Sequence, residues 1–128
     1  MSVPDDPNPK LLLLVDDDDD IREVAATSLE LVDGFRIVTA SSGPEAVSQA
    51  LQHHPDGIVL DMMMPGMDGL QTLEKLKADA GTADIPVILL TARVDGKHPT
   101  DTIAGLIRKP FDPMGLGTEI SRLLGWAR

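Results

Sequence analysis

The sequence has no cysteine and no tyrosine, and only two phenylalanines and one tryptophan among its 128 residues. Without cysteine there is no disulfide framework, no thiolate nucleophile and no cysteine-ligated zinc site. Long apolar runs are missing too. The longest, Leu11 to Val15, is far below the ~20 residues of a membrane helix and short even for the core of a signal peptide. A cytoplasmic chain with no membrane partner is expected. Basic side chains are scarce, 11 against 21 acidic, and the formal net charge of -10 repels phosphate backbones and anionic lipid over about a Debye length. Direct contact with nucleic acid is therefore not expected.

What is present is one domain's worth of chain, with 42% hydrophobic residues and room for a proper core. Residues 1–9 hold three prolines and read as an extended, poorly ordered lead-in. Residues 10–128 read as a single domain with no internal repeat, no linker and no output domain. Short apolar runs alternate there with helical patterns. LLLLV (11–15), FRIVT (35–39), GIVL (57–60), PVILL (86–90) and GLIR (105–108) read as strands. Runs that are apolar on both faces indicate strands covered on each side, as in a parallel sheet.

Between the strands the spacing becomes helical. Ile21, Val24, Ala25, Ser28, Leu31 and Val32 share one face, and Ala46, Val47, Ala50 and Leu51 form another behind the cap Ser42 and the first-turn Pro44. Asp68 with Gln71 makes a capping box for a third helix that turns Leu70, Leu73 and Leu76 inward. Asp112 and Pro113 open a last helix with Leu116, Ile120, Leu123 and Leu124 inward. Between Thr91 and Lys109, Gly96 and Pro99 leave only a short fourth helix near Thr100 to Ala104. The alternation predicts an α/β fold, a flavodoxin-like doubly wound (βα)5 with a five-stranded parallel sheet in the order 2-1-3-4-5 and a shortened fourth helix.

Ligands of open α/β sheets sit beyond the carboxyl ends of the strands. Strand one there releases Asp16 and Asp17, strand three Asp61, strand four Thr91 and strand five Lys109. In the predicted order strands one and three are neighbours. Two carboxylates about 4 Å apart repel by roughly 4 kcal/mol at an effective dielectric near 20, and a hard divalent cation such as Mg²⁺ offsets this. A carboxylate kept ionised there can attack phosphorus, with Thr91 and Lys109 serving the phosphoryl oxygens. The run Asp16 to Asp20 thus divides. Its last three residues, Asp18, Asp19 and Asp20, face solvent and cap the first helix. An EF-hand reading of 16, 18 and 20 fails because Ile21 replaces the glycine and Thr27 the bidentate glutamate.

VDDDDDIRE, LDMMMPGMDG, VILLTA and KPFDP, in that order at strand ends, together resemble the receiver domain of two-component response regulators from Lys10 to about Gly125. The resemblance implies that Asp61 accepts a phosphoryl group from a histidine kinase or phosphotransfer protein, or from a small phosphodonor. It implies that Asp17, Asp61 and the Met63 carbonyl bind Mg²⁺ (or Mn²⁺) directly, with Asp16 acting through water, and that Thr91 and Lys109 contact the phosphoryl group. The Lys109–Pro110 bond would be cis. Ala92 is the small residue that leaves the phosphoryl group access, and Met63 and Arg93 stand at the rim positions that tune phosphate lifetime.

Two departures stand out. Leu106 occupies the strand-five position where the family turns a tyrosine or phenylalanine inward, and the interval from Thr91 to Lys109 is shorter than usual. The leading expectation is a stand-alone phosphoacceptor switch or relay that acts on a downstream protein target, a signalling domain rather than an enzyme. The alternative is a degenerate receiver used as a phosphorylation-independent interaction module. An aspartyl-nucleophile phosphatase needs a second acid two residues after the nucleophile, where this chain has Met63.

Overall fold

The computed structural model describes residues 9–64, 69–92 and 102–126. Its elements run β1 (Leu11–Val15), α1 (Asp19–Asp33), β2 (Arg36–Ala40), α2 (Gly43–His53), β3 (Gly57–Asp61), α3 (Gly69–Ala78), β4 (Val87–Thr91), β5 (Gly105–Arg108) and α4 (Leu116–Leu124). The strands form one sheet, all parallel, in the order β2-β1-β3-β4-β5. The predicted fold class and strand order are therefore observed. The Asp68 cap and Arg93 lie outside the described residues; of the short helix expected over Thr100 to Ala104, residues 102–104 are described and are not helical.

The unbroken apolar strands have a simple cause. Successive side chains point to opposite faces, so Leu13 and Val15 join one core cluster with Ile58, Leu60, Val87 and Leu89. Leu12 and Leu14 join the other with Val59, Ile88, Leu90 and Ile107. α2 and α3 cover the first face, α1 and α4 the second. Each fully buried leucine contributes about 1.5–3 kcal/mol, which is why β1, β3 and β4 admit no polar residue before their carboxyl ends.

The predicted inward face of α1 is wrong by roughly a quarter turn. Ala25 and Leu29 are buried, whereas Ile21, Val24, Leu31 and Val32 are exposed, Leu31 by 80%. The small Ala25 and Ala26 allow the helix to lie close on the sheet, and its entry is fixed by Asp18, whose carboxylate accepts from the amides of Asp20 and Ile21. In α2, Ala46 and Ala50 are buried as predicted but Leu51 is exposed. α4 starts at Leu116, not at Pro113. Asp112 instead closes a turn, its side chain accepting from Met114 N–H and its carbonyl from Gly115 N–H. Trp126 is a packing anchor: it meets Phe35 edge-on at 5.7 Å, under the Lys10 ammonium.

Candidate functional site

The register brings the acidic residues together. Val15 pairs with Leu60, so the next residues, Asp16 and Asp61, emerge side by side on neighbouring strands. Thr91 and Arg108 are paired at the ends of β4 and β5, and Lys109 N–H donates to the Thr91 carbonyl at 2.8 Å. Asp16 and Asp61 are 1% and 2% exposed, and Thr91 is buried beside them. One carboxylate oxygen from each of Asp16, Asp17 and Asp61 lies within 4.8 Å of the others. The Lys109 ammonium bridges two of them, 3.1 Å from Asp16 Oδ2 and 3.2 Å from Asp61 Oδ2.

Each aspartate is held differently. Asp16 is fully engaged: its N–H donates to the Ala40 carbonyl, its Oδ1 accepts from Asp18 N–H, its Oδ2 from Lys109 and its carbonyl from Arg22. Asp61 Oδ1 accepts from Met63 N–H at 3.1 Å. Asp17 is exposed, and among the described residues its carboxylate makes no hydrogen bond.

Burial pushes the Asp61 carboxyl above the usual carboxylate range; the Met63 N–H and Lys109 oppose this, while the Asp16 charge adds to it. Burial also works against the Lys109 ammonium, but the Asp61 and Asp16 carboxylates outweigh it, so Lys109 holds its proton more tightly than an ordinary lysine. Three carboxylates against one ammonium leave the cluster two charges negative. That surplus and an all-oxygen donor set match a hard divalent cation of the Mg²⁺ or Mn²⁺ type.

Other predicted residues sit around this centre. Met63 is 64% exposed at the rim, Ala92 is exposed beside Thr91, and Leu106 is half-buried in the core on the α2 and α3 side. The Lys109–Pro110 bond is cis. A groove of about 430 Å³ adjoins Lys109, walled by Ile21 and Val24 of α1 and by Ala92, Pro110, Phe111 and Pro113.

Two residues that the sequence did not single out also shape the site. Gly69 packs so tightly on the end of β3 that a Cβ there would stand 2.6 Å from the Asp61 carbonyl oxygen and 2.6 Å from Met62 Cα. Arg22 reaches back from α1 to the Asp16 carbonyl at 2.8 Å. The sequence signal for Arg22 was there to be read, since it is the first cation after five aspartates.

Comparison with known proteins agrees with this geometry. Residues 12–121 match the response regulator receiver domain. The chain is 39% identical over 124 residues to a probable transcriptional regulator, ycf27, of Cyanophora paradoxa, covering 91% of this chain and 49% of that protein. It is 40% identical over 120 residues to the phosphate regulon transcriptional regulatory protein PhoB of Klebsiella pneumoniae, covering 88% and 51%. The chain thus spans about half the length of these curated relatives. Among solved structures, it resembles the receiver domain of the sensor histidine kinase PA1611 from Pseudomonas aeruginosa, crystallised with a magnesium ion coordinated in the active-site cleft. That match has a TM-score of 0.80 and 26% identity, and covers 91% of this chain and 98% of that one.

Proposed function

The chain belongs to the response regulator receiver domain family, and on that footing we propose that it is a cytoplasmic phosphoacceptor whose Asp61 takes a phosphoryl group from a histidine kinase or phosphotransfer protein. The observation that carries this reading is the buried Asp61 carboxylate, 3.2 Å from Lys109 Nζ and clustered with Asp16 and Asp17. An Asp61 oxygen attacks phosphorus, the bond from phosphorus to the donor's imidazole nitrogen breaks, and its electron pair stays with the donor. Lys109 balances the charge gathering on the phosphoryl oxygens, and Thr91 offers its hydroxyl to them. Asp17, Asp61 and the Met63 carbonyl would hold Mg²⁺ or Mn²⁺. Asp16, whose oxygens are already occupied, would act through water. The cation supplies positive charge to the carboxylates and the transferring group. Met63, exposed at the rim, would shield the product from water, a role that the family resemblance gives to Arg93 as well, and Ala92 leaves room for it. Ile21, Val24 and the groove beside Lys109 are an apolar surface on which the donor protein would rest.

The test is labelling of the purified protein by phosphoramidate or acetyl phosphate, followed by intact mass. Labelling should require Mg²⁺ or Mn²⁺ and vanish in Asp61→Asn. Labelling that persists in that variant would remove Asp61 as the acceptor. An unlabelled wild-type protein would favour the interaction-module reading instead.

A further inference from the structure

Arg22 lies in the second turn of α1, yet its guanidinium points back across the entry of the helix. Nη1 donates to the Asp16 carbonyl at 2.8 Å, and Nη2 pairs with the Asp19 carboxylate. The side chain is largely buried, with 19% exposure. We propose that Arg22 is a positioning residue for the divalent cation: it clamps Asp16, the residue after β1, to the first turn of α1 and so fixes the Asp17 carboxylate between them. The inference rests on the reading that Asp17 and Asp61 bind such a cation.

Asp17 needs an external constraint because nothing among the described residues holds its carboxylate directly. Its place is set by its neighbours. Asp16 is tied to β2 through its N–H, to Asp18 and Lys109 through its side chain, and to Arg22 through its carbonyl. Asp18 is tied to the α1 amides. Of these bonds, only the one from Arg22 spans the whole turn, from Asp16 to residue 22. Five adjacent aspartates repel one another, and an unclamped turn would relieve that repulsion by splaying Asp17 away from Asp61. The planar fork of arginine suits the task because it serves a carbonyl and a carboxylate at once, where lysine offers a single point of charge.

The sign of the effect separates this role from simple electrostatics. Arg22 is itself a cation, so deleting its charge would by Coulomb's law tighten binding of another cation nearby. Loss of positioning does the opposite, and outer partners of metal ligands typically account for about 10–100-fold in affinity. The experiment is calorimetric titration of wild type, Arg22→Met and Arg22→Lys with Mg²⁺, alongside metal-free melting curves. Arg22→Met should bind about 10-fold or more weakly while still melting cooperatively. Arg22→Lys, which keeps the charge, should fall between it and wild type. In phosphoramidate labelling, Arg22→Met should need more Mg²⁺ for half-maximal rate but reach the wild-type plateau. Arg22→Met that binds Mg²⁺ as tightly as wild type, or more tightly, overturns the proposal. If that variant does not fold, Arg22→Lys decides: weaker binding supports the role and unchanged binding overturns it. A wild-type protein that binds no Mg²⁺ removes the cation site itself, and this inference with it.

Discussion

Asp61 sits where burial and a neighbouring carboxylate oppose its ionisation, while one ammonium and one backbone amide favour it. Burial prevails, and its pKa lies above the ordinary value of 3.8. A carboxyl raised in the folded state adds to stability below its unfolded pKa, and that contribution is lost as pH rises through the folded value. Above that value the ionised Asp61 therefore works against the metal-free fold. Asp61→Asn, which cannot ionise, should melt higher than metal-free wild type at pH 7, and the gain should shrink as the pH falls through the raised folded pKa and be gone below about 4. Mg²⁺ at about 100 times its Kd should raise wild type by on the order of 10 °C and the variant by much less. Thermal melts over a pH series, with and without Mg²⁺, check both statements. A variant that melts below wild type at pH 7 would mean that the Lys109 ion pair outweighs burial.

At the scale of elements, the end of β3 and the start of α3 meet through Gly69, whose N–H donates to the Met62 carbonyl at 3.1 Å. The obstacle to any larger residue is backbone, which cannot swing aside as a side chain can. Gly69→Ala should shift the Asp61 and Met62 backbone and slow small-donor labelling by about 10–100-fold, the range that misplacement of a reacting group by about 1 Å produces. The check is the labelling rate at saturating Mg²⁺, with circular dichroism to confirm the fold; a wild-type rate would show that the turn relaxes without moving Asp61. The misread face of α1 belongs to the same scale. The predicted face held Ile21, Val24, Leu31 and Val32 with Ala25, but of these the helix buries only Ala25, together with Leu29. Close approach to the sheet favours small side chains, and the Arg22 bond to the Asp16 carbonyl ties the rotation of the helix to the acidic turn.

For the whole molecule, the question is how occupancy of the site reaches the rest of the surface when Leu106 replaces the aromatic expected on strand five. Leu106 is half-buried and paired with Leu89 in β4, two residues from Thr91. A change at the site can therefore pass along β4 and β5 by packing alone. If the protein is a switch, Mg²⁺ with beryllofluoride should alter amide hydrogen exchange in β5 and α4 as well as at the site. Exchange changes limited to the amides around Asp61 would point to the constitutive module instead. The net charge of -10 favours partners with basic surfaces, and association should weaken as salt is raised.

The sequence by itself determined the sheet and where the residues of the candidate site fall on it. Strands covered on both faces must stay apolar along their length, so the first polar residue after each run marks its carboxyl end, and Asp16, Asp61 and Thr91 could be read there directly, with Lys109 just past the end of β5. It also divided the aspartate run, since helix capping is local and Asp18 caps α1 as its position requires. Only the tertiary structure decided which side of α1 is buried, why residue 69 is glycine, and that Arg22 closes the acidic turn. Those outcomes depend on how closely one element approaches another and on which nonlocal carbonyl a side chain can reach. Neither distance is encoded in the periodicity of a single segment.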